Sequence, residues 1–440
     1  MSIFKPQNKA GFKIFRVPSI IVVVLVLLLI APNCLHITHT QQSGILEWFN
    51  KPAGVHYQGT HNRTYITWVN HEGRIEIRYY DHDTASMSDA YEIDNLNYIN
   101  LECAVDDHNA PTVYVRDDGK IIVFYAPHWG GLYYKISTNA EDISSWGSRQ
   151  TIEGGSEEAC YPKPRKVGSD LWLFYRYKYS GNQRQEVYRI STSDGDSWGG
   201  RERLVEFASD ELTIYMFIAT SGNEIHLAWT TMAGYGGNQQ IRNVYYMYSE
   251  NSGINWSRRD CTPITLPCTE TEADLVFNSG QDQCYIWDLV LNANNDPFIV
   301  FAYKEDPDHE FRFARYDKGW STYQITTSSQ LYDASHFYSA GVVIDPNNVY
   351  QVYLSKKHEK LEIERWESST NGQSWTKSAS ITSDSVKDNF RPQVIKDYHH
   401  DLILLWVYGD YTGLVDGKWT GWNTQIQSYP VANIPVSEKQ

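Results

Sequence analysis

A turn that closes on an aromatic residue recurs along the chain, and it constrains the fold more than any other feature. Each copy begins with Ser or Asp and carries Asn, Asp, Lys or Gly before its end. The copies end at Trp146, Trp198, Trp256, Trp320, Trp375 and Trp419, at intervals of 44 to 64 residues. An opening copy, Tyr80-Asp81-His82-Asp83, lacks the tryptophan. Spacing of this kind predicts a repeat architecture in which every unit is one supersecondary element.

An aliphatic run that ends in aromatic residues precedes each turn, and seven such runs are present. They are Thr64 to Trp68, Ile121 to Tyr125, Leu171 to Tyr175, Ile225 to Trp229, Phe298 to Tyr303, Tyr350 to Leu354 and Leu402 to Trp406. The chain has 14% aromatic residues, with 32 Tyr and 15 Trp, which favours strands. Seven strand–turn–strand units predict an all-β, seven-bladed β-propeller. A two-domain β-sandwich is the alternative, but it would not produce this even spacing.

The best copies of the turn are similar to the Asp-box, Ser-x-Asp-x-Gly-x-x-Trp, although none matches it fully. Ser191 to Trp198 and Ser249 to Trp256 are the nearest. In such a turn the Asp or Asn side chain bonds nearby backbone, and Gly takes a positive φ. We expect the tryptophan to fill the space between neighbouring blades.

The first 40 residues have the composition of a targeting segment. Lys5, Lys9, Lys13 and Arg16 precede an apolar run from residue 20 to 30. This order is typical of a secretory signal, and the run is short for a membrane span. No clean cleavage site follows, so an uncleaved anchor is the alternative. We therefore expect residues 1–40 to be a signal peptide or anchor, 41–430 a single propeller domain and 431–440 a tail, in a secreted or periplasmic protein.

Charge and cysteine content narrow the partners. The formal net charge of −15 argues against general nucleic-acid binding, which requires a basic surface. No protein partner is indicated, and we expect a monomer.

Of six cysteines, Cys261 and Cys268 are close enough in sequence to form a local disulfide, for which Cys284 could compete. No zinc-like Cys/His spacing occurs. The acidic tract Glu305-Asp306-Pro307-Asp308 could hold a structural Ca²⁺ or be a solvated loop.

Residues suited to an anionic sugar recur where a propeller channel would open. These positions begin the inner strands and follow the middle strands. They include His108, Asn109, His128, Trp129, Tyr177, Tyr235, His336 and Arg391. Aromatic rings suit stacking on sugars, whereas Arg and His suit a carboxylate or sulfate. A basic channel mouth on an acidic protein indicates a local anion site.

The tract Asp106-Asp107-His108-Asn109-Ala110-Pro111, followed 20 residues after His108 by His128, resembles the seven-bladed propeller polysaccharide lyases. These are the ulvan lyase and rhamnose–glucuronate lyase families, with BNR-like repeats. Arg63 to Trp68 and Phe174-Tyr175-Arg176 are similar as well. The resemblance covers residues 45 to 425 approximately. It implies β-elimination at a 4-linked uronic acid.

Carried over from that resemblance, His108 and His128 correspond to a catalytic histidine pair, Tyr175 to a catalytic tyrosine and Arg189 to the arginine that neutralises the uronate carboxylate. Tyr177 is the alternative to Tyr175. Tyr235, Asn109, Trp129, Tyr177, His336 and Arg391 are the expected substrate contacts. His128 or Tyr175 would act as base and acid, and His108 would bind the carboxylate or share proton transfer. This chemistry needs no cofactor.

Two other functions fit parts of the sequence. An α-L-rhamnosidase-like hydrolase acting on rhamnose–glucuronate glycans is one, and a non-catalytic carbohydrate-binding propeller is the other. Sialidases share the Asp-box, but their arginine triad and Tyr/Glu pair do not stand out here. Glycosidases need two placed carboxylates. Asp106 and Asp107 are adjacent, and as strand neighbours we expect them to point to opposite faces, with Asp107 a structural partner.

Overall fold

The fold is that of a computed structural model. It describes residues 37–38, 43–99, 104–128, 130–154, 158–178, 186–208, 211–234, 240–304, 309–327, 330–331, 338–415 and 418–430. Chain contacts separate Met1–Asn33, which lies outside these ranges, from Cys34–Gln440, which contains every described strand. The predicted targeting segment therefore falls largely outside the described residues. Within them, no helix has the length and apolar character of a membrane span.

Strands dominate the described residues, and the only helices there are short 3₁₀ turns such as Leu96–Tyr98 and Asp107–Asn109. The strands of the first half are β1 (Ile37–Thr38), β2 (Gly54–Gln58), β3 (Asn62–Val69), β4 (Arg74–Asp81), β5 (Ser86–Met87), β6 (Tyr91–Asn95), β7 (Thr112–Val115), β8 (Ile121–Tyr125), β9 (Leu132–Ile136), β10 (Gln150–Glu153), β11 (Glu158–Val167), β12 (Asp170–Lys178), β13 (Glu186–Thr192) and β14 (Glu202–Val205). Those of the second half are β15 (Glu211–Ser221), β16 (Glu224–Ala233), β17 (Gln240–Ser249), β18 (Trp256–Ser257), β19 (Pro263–Ile264), β20 (Asp274–Phe277), β21 (Cys284–Leu291), β22 (Pro297–Tyr303), β23 (Glu310–Tyr316), β24 (Trp320–Thr327), β25 (Val342–Asp345), β26 (Asn348–Lys357), β27 (Leu361–Glu367), β28 (Thr376–Ser380), β29 (Asp388–His399), β30 (Leu402–Val415) and β31 (Lys418–Tyr429).

These strands form six sheets. Four have four strands each, in the orders β7 to β10, β11 to β14, β21 to β24 and β25 to β28, and one has six strands, β15 to β20. The sixth sheet has nine strands in the order β1-β31-β30-β29-β2-β3-β4-β5, with β6 paired to β4. In this largest sheet two antiparallel groups meet at one parallel pairing, Val55 of β2 with Lys396 of β29. The prediction of an all-β fold built from repeated sheets is confirmed.

The seven aliphatic runs all lie in strands, and each is the second strand of its antiparallel group. They fall in β3, β8, β12, β16, β22, β26 and β30. β8 is buried along its whole length, which explains why it reads as a continuous apolar run instead of an alternating one. The first strands of the groups contact one another in chain order, and β2 contacts both β7 and β29. The starts of these first strands are therefore brought near one another.

The recurring turns are built as their sequence predicts. In the Ser249 to Trp256 turn, Gly253 N donates to Ser249 Oγ at 2.9 Å and Trp256 Nε1 donates to the Gly253 carbonyl at 3.1 Å. In the Ser191 to Trp198 turn, Asp194 Oδ1 accepts from the amides of residues 196 and 197. Trp198, Trp320 and Trp375 pack on the preceding group, as Trp375 does on Phe313 at a ring distance of 5.1 Å. These three tryptophans therefore join neighbouring sheets. Trp419 differs, because it lies at the start of β31 and contacts the His108 ring instead.

Gly253 is a point where a side chain would displace the Arg189 guanidinium from this turn. Its φ is +69°, and a Cβ there would overlap the Arg189 guanidinium. We expect Gly253→Ala to lower the free energy of unfolding by roughly 1–2 kcal/mol for the left-handed backbone and by about 1–3 kcal/mol more for the overlap. Urea unfolding measures the loss. Gly222→Ala is the matched control, because Gly222 has φ +56° and no atom near its Cβ position. Equal losses in the two variants would contradict the overlap.

The expected local disulfide is wrong. Cys160, Cys261, Cys268 and Cys284 are all unbonded thiols. Cys268 is buried and its Sγ donates to the Thr269 carbonyl, whereas Cys261 is exposed beside Tyr248. The two side chains therefore face different surroundings, although few residues separate them. Cys34 and Cys103 lie outside the described residues, as does the acidic tract 305–308 considered for Ca²⁺.

Candidate active site

A 3₁₀ turn just before β7 carries the first histidine of the pair. The turn spans Asp107–Asn109, and Asp106 caps it by accepting from the His108 amide at 2.9 Å. Because a 3₁₀ turn replaces the expected strand here, Asp106 and Asp107 do not point to opposite faces, and that expectation is wrong. Both carboxylates meet His108: Oδ1 of Asp106 lies 3.0 Å from its Nδ1, and Oδ1 of Asp107 lies 2.6 Å from the same atom.

His128 follows β8 and stacks directly on His108. The ring centroids are 4.1 Å apart and the ring planes differ by 2°. Asp106 bridges the pair, since its Oδ2 lies 3.0 Å from His128 Nδ1. The side-chain oxygen of Asn109 accepts from the backbone amide of His128 at 2.7 Å, and this bond fixes the backbone at His128. The structure thus brings His108, His128 and Asn109 together, with both Nδ1 atoms held by one carboxylate and the ring orientations set.

The two histidines differ in charge. Burial opposes protonation of His108, but the carboxylates of Asp107 and Asp106 outweigh burial and hold its pKa well above the usual range. Burial and the charge of His108 lower the pKa of His128, despite Asp106. At neutral pH the pair therefore consists of a cationic His108 and a neutral His128. A neighbouring acid and base with pKa values pushed apart is a typical catalytic arrangement.

Arg391 lies beneath this pair and not at a surface. Only 1% of it is exposed, and its Nη2 donates to Asp107 Oδ2 at 2.8 Å and to the Tyr411 hydroxyl at 2.9 Å. Its Nη1 lies 3.0 Å from Glu47 Oε2, and burial raises the pKa of Glu47 to about 8. The expected substrate contact is therefore not available to Arg391. The side chain instead fixes Asp107, which in turn holds His108.

Bulges at the starts of first strands aim two side chains inward. The ladder of β11 shifts between Cys160 and Lys163, and that of β29 shifts between Phe390 and Gln393. Each bulge contains a residue with positive φ followed by proline: Tyr161 at +60° before Pro162, and Arg391 at +52° before Pro392. Proline has no N–H for the ladder, so the pairing is interrupted there. The same pattern, a residue with positive φ followed by proline, therefore interrupts the first strand in two groups.

Strand parity decides which residue at the end of β12 faces the histidines. Arg176 pairs in register with Cys160 of β11 and donates to Cys160 Sγ and to Thr213 Oγ1 at 3.0 Å. Its guanidinium lies 4.3 Å from the centre of the Tyr161 ring, and its charge reaches His128. Tyr161 lies 6.1 Å from the His108 ring. Arg176 and Tyr161 are therefore the arginine and tyrosine that the structure brings to the histidine pair.

Tyr175 and Tyr177 point to the opposite face of β12, as neighbours on a strand must. The Tyr175 hydroxyl donates to Glu153 Oε1 at 2.6 Å. Arg201 contacts both Glu153, at 2.8 Å, and the ring of Tyr177, at 4.3 Å. The two expected tyrosines thus belong to a buried cluster between neighbouring sheets, and the structure does not bring them to the histidines.

Arg189, the expected carboxylate ligand, is held elsewhere. It lies in β13, where it pairs with Glu202, donates to the Gly253 carbonyl at 3.0 Å and stacks on Trp172 at 4.4 Å. These contacts join two groups at the recurring turn. Trp129, Tyr235 and His336 lie outside the described residues.

Two aromatic rings lie beside His108, and others pack behind them. Half-buried Trp419 lies 5.1 Å from the His108 ring and 5.3 Å from Tyr338. Phe49 contacts Tyr161 at 4.9 Å and belongs to a buried cluster of rings, which also contains Trp48, Tyr215, Tyr285 and Trp287. Of these rings, Trp419 is the one placed beside the cation with a face that suits a sugar ring. Asp106, His108 and His128 also place their ligand atoms close enough to hold a metal ion, but His108 Nδ1 already lies 3.0 Å from Asp106 Oδ1 and 2.6 Å from Asp107 Oδ1, where it donates to this pair of carboxylates.

Sequence reasoning missed Asp106, Tyr161, Arg176 and the Glu47–Arg391–Tyr411 network as working parts of the site. A signal for Tyr161 was present, because Tyr161-Pro162 and Arg391-Pro392 occupy the same position in two repeats. The sequence also shows that Arg176 and Tyr175 are strand neighbours and therefore lie on opposite faces of β12. It does not show which of the two faces points toward the histidines. Glu47 and Tyr411 reach the site from opposite ends of the chain, and no local pattern marks them.

These sheets and turns define an all-β repeat protein, and its candidate site is a buried cluster of paired histidines, carboxylates and arginines. The model of the BNR repeat-containing family matches residues 63–328, more than half of the chain, and the chain belongs to that family.

Relatives are more specific. The chain is 22% identical over 386 residues to the PL25 ulvan lyase of Pseudoalteromonas sp. (strain PLSV), with 77% of this chain and 75% of that protein covered. It is 20% identical over 374 residues to an ulvan lyase of Alteromonas sp. (strain LOR), with 75% of each covered. A solved PL25 ulvan lyase structure matches with a TM-score of 0.72 at 16% identity, over 89% of this chain and 95% of that one. At this identity the structural match speaks for the fold alone.

Proposed function

We propose that this protein is a polysaccharide lyase that cleaves a uronate-containing polysaccharide by β-elimination. The observation that carries the proposal is the stacked histidine pair bridged by Asp106, with a cationic His108 and a neutral His128. A hydrolase would instead need two carboxylates placed about the scissile bond. Here the nearby carboxylates of Asp106 and Asp107 are occupied by histidine and arginine. The ulvan lyase relatives add support.

In the proposed reaction the uronate carboxylate is neutralised by His108 and Arg176, which acidifies the C5 proton of the sugar. Neutral His128 removes that proton as the base. The electron pair of the C5–H bond forms the C4–C5 double bond, and the C4–O bond breaks. Tyr161, whose pKa burial holds well above the usual range, remains a phenol and protonates the departing oxygen. Side chains supply every charge and proton, so we expect no cofactor in the reaction.

The fold assigned to this function is a seven-bladed β-propeller. Counting the two antiparallel groups of the largest sheet separately gives seven groups among the described residues, and their first strands contact in cyclic order. The site lies where several first strands begin, which is the mouth of a propeller channel. Secretion or periplasmic export and a monomeric state stay predictions from the sequence.

The substrate we assign is ulvan-like, with a uronate 4-linked to rhamnose. One solved relative is described as a PL25 ulvan lyase bound to -[GlcA(1-4)Rha3S]-. Incubation of the purified protein with ulvan should give rising ultraviolet absorbance from the unsaturated uronate. Ulvan whose carboxyl groups have been reduced to alcohols is the matched control, because its C5 proton is not acidified, and its absorbance should stay flat. New reducing ends without absorbance would favour the rhamnosidase-like hydrolase, and binding without cleavage a carbohydrate-binding propeller.

The pH dependence of kcat/KM should be bell-shaped with both limbs displaced. The base His128 must be neutral, and its lowered pKa keeps it neutral to a pH below the ordinary histidine value of about 6.5. His108 must be cationic, and its raised pKa keeps it so to a pH well above about 6.5. Initial rates across pH test this, with stability checked at each pH. An acid limb at or above about pH 6.5, or a loss of activity just above that pH, would contradict these roles.

The two arginines give a direct comparison. Arg176→Gln should lower kcat/KM for ulvan about 10²- to 10³-fold. The reason is that the variant lacks the positive charge that stabilises the enolate dianion formed when the C5 proton leaves. Arg176→Lys should recover part of the rate, since it restores charge without the fork. Arg189→Gln should leave kcat of the folded protein near wild type and lower its stability instead. A large loss of kcat/KM in Arg189→Gln with little change in Arg176→Gln would instead assign carboxylate binding to Arg189.

A further inference from the structure

A second cluster of ligand-type side chains lies away from the candidate active site, where the first and last antiparallel groups meet. His82 directly follows β4, His399 ends β29, and Asp401 lies in the turn before β30. A nitrogen of each histidine and an oxygen of Asp401 lie within 4.8 Å of one another. We propose that these three residues bind one zinc-type transition-metal ion that joins the two ends of the fold.

The two distances from Asp401 to the histidines are close to those of a tetrahedral site. Ligand atoms about 2.0–2.1 Å from a zinc ion at tetrahedral angles are about 3.3 Å from each other. Asp401 Oδ2 lies 3.6 Å from His82 Nδ1 and 3.2 Å from His399 Nδ1. A metal would displace the weak bond from the Asp401 amide to His399 Nδ1, at 3.3 Å, and would replace the direct contact between that nitrogen and Asp401 Oδ2. The fourth position is left for water.

The surroundings of His82 fix its ring in an orientation that suits a metal ligand. Its side chain is fully buried, its Nε2 is bonded to Thr64 Oγ1 at 2.8 Å, and its Nδ1 has no hydrogen-bond partner among the described residues. A buried ring nitrogen that faces a carboxylate at 3.6 Å without a bond is costly unless something else occupies the gap. A metal-bound histidine commonly has its other nitrogen fixed in this way.

The composition of the cluster favours a zinc-type ion over Ca²⁺ and Mg²⁺. Two imidazoles and one carboxylate suit zinc, whereas Ca²⁺ and Mg²⁺ require more oxygen ligands. The nearby His56 is not a ligand candidate, because both of its ring nitrogens are bonded, to the Asp397 carbonyl at 3.0 Å and to Asn62 Oδ1 at 2.8 Å. The bond to Asp397 holds β2 against β29, where only the Val55–Lys396 pair joins the two strands. A metal at this seam would reinforce the weakest pairing of the largest sheet.

The test measures metal content and thermal unfolding of the tag-free protein after exposure to Zn²⁺ and removal of loosely bound ions. We expect about one zinc ion per chain, a Tm about 2–5 °C lower after chelation, and recovery with Zn²⁺ but not with Ca²⁺. Replacement by Co²⁺ should give the intense visible absorption of a tetrahedral site. Asp401→Asn, which keeps the side-chain size, and His82→Ala should each lose the metal and the chelator response.

Two controls locate the ion. His128→Gln disrupts the other metal-capable cluster, and His358→Ala removes a histidine that pairs with Glu364 elsewhere. Both should keep the zinc ion and its effect on Tm. Loss of zinc in His128→Gln but not in Asp401→Asn would overturn the proposal. A wild-type protein that holds no zinc, or whose Tm does not change when zinc is removed, would overturn it as well. None of these readings depends on lyase activity.

Discussion

Replacing His128 by glutamine is expected to lower kcat on ulvan about 10²- to 10⁴-fold, because the variant has no base to remove the C5 proton. The amide can keep a bond to Asp106, so the site should retain its shape. KM should change little, since His108 and Arg176 still meet the carboxylate. Initial rates of unsaturated-product formation, with circular dichroism on the same samples, measure both quantities.

His226→Gln is the matched control. His226 is buried as deeply as His128, and its ring bonds Tyr246 and Glu224 away from the site. The control should lose stability but keep kcat in the folded protein. A His128→Gln enzyme that retained wild-type kcat would remove His128 from the mechanism.

Arg391→Met is expected to lower the free energy of unfolding by about 3–5 kcal/mol. The substitution leaves Asp107 and Glu47 buried without the guanidinium that both now contact. It also frees Asp107, so we expect the pKa of His108 to change with it. Urea unfolding followed by tryptophan fluorescence measures the loss.

Two further variants make this result readable. Arg74→Met removes an arginine whose partners, Glu72 and Glu92, are exposed, and it should alter unfolding little. If Arg391→Met does not fold, Tyr411→Phe removes only the hydroxyl shared by Asp107 and Arg391 and should cost about 1 kcal/mol. An Arg391→Met protein as stable as Arg74→Met would show that the buried network is not needed.

The repeated part of the fold was predictable because it depends on local patterns. The aliphatic–aromatic runs are second strands of their groups, and burial of β8 on both faces makes the run visible in the sequence. The turns ending at Trp198, Trp256 and Trp375 follow from side chains that bond their own backbone. The histidine pair was predictable as well, since one strand and one turn separate His108 from His128.

The arginine and tyrosine of the site were not predictable from spacing alone. A bulge at Tyr161 shifts the register of β11 against β12, and that shift decides whether Arg176 or Tyr175 faces the histidines. A one-residue change in register moves every side chain to the other face. Arg391 looks like a surface cation in the sequence, and only the approach of Glu47 and Tyr411 from distant segments buries it.

The most direct test of β-elimination at the histidine pair is the mass of the oligosaccharides released from ulvan. Elimination adds no water, so each new non-reducing end should be an unsaturated uronate, lighter by one water than a hydrolysis product. We expect such fragments from the wild-type protein and their near absence from His128→Gln. Fragments that carry the full mass of added water would contradict the account and identify a hydrolase.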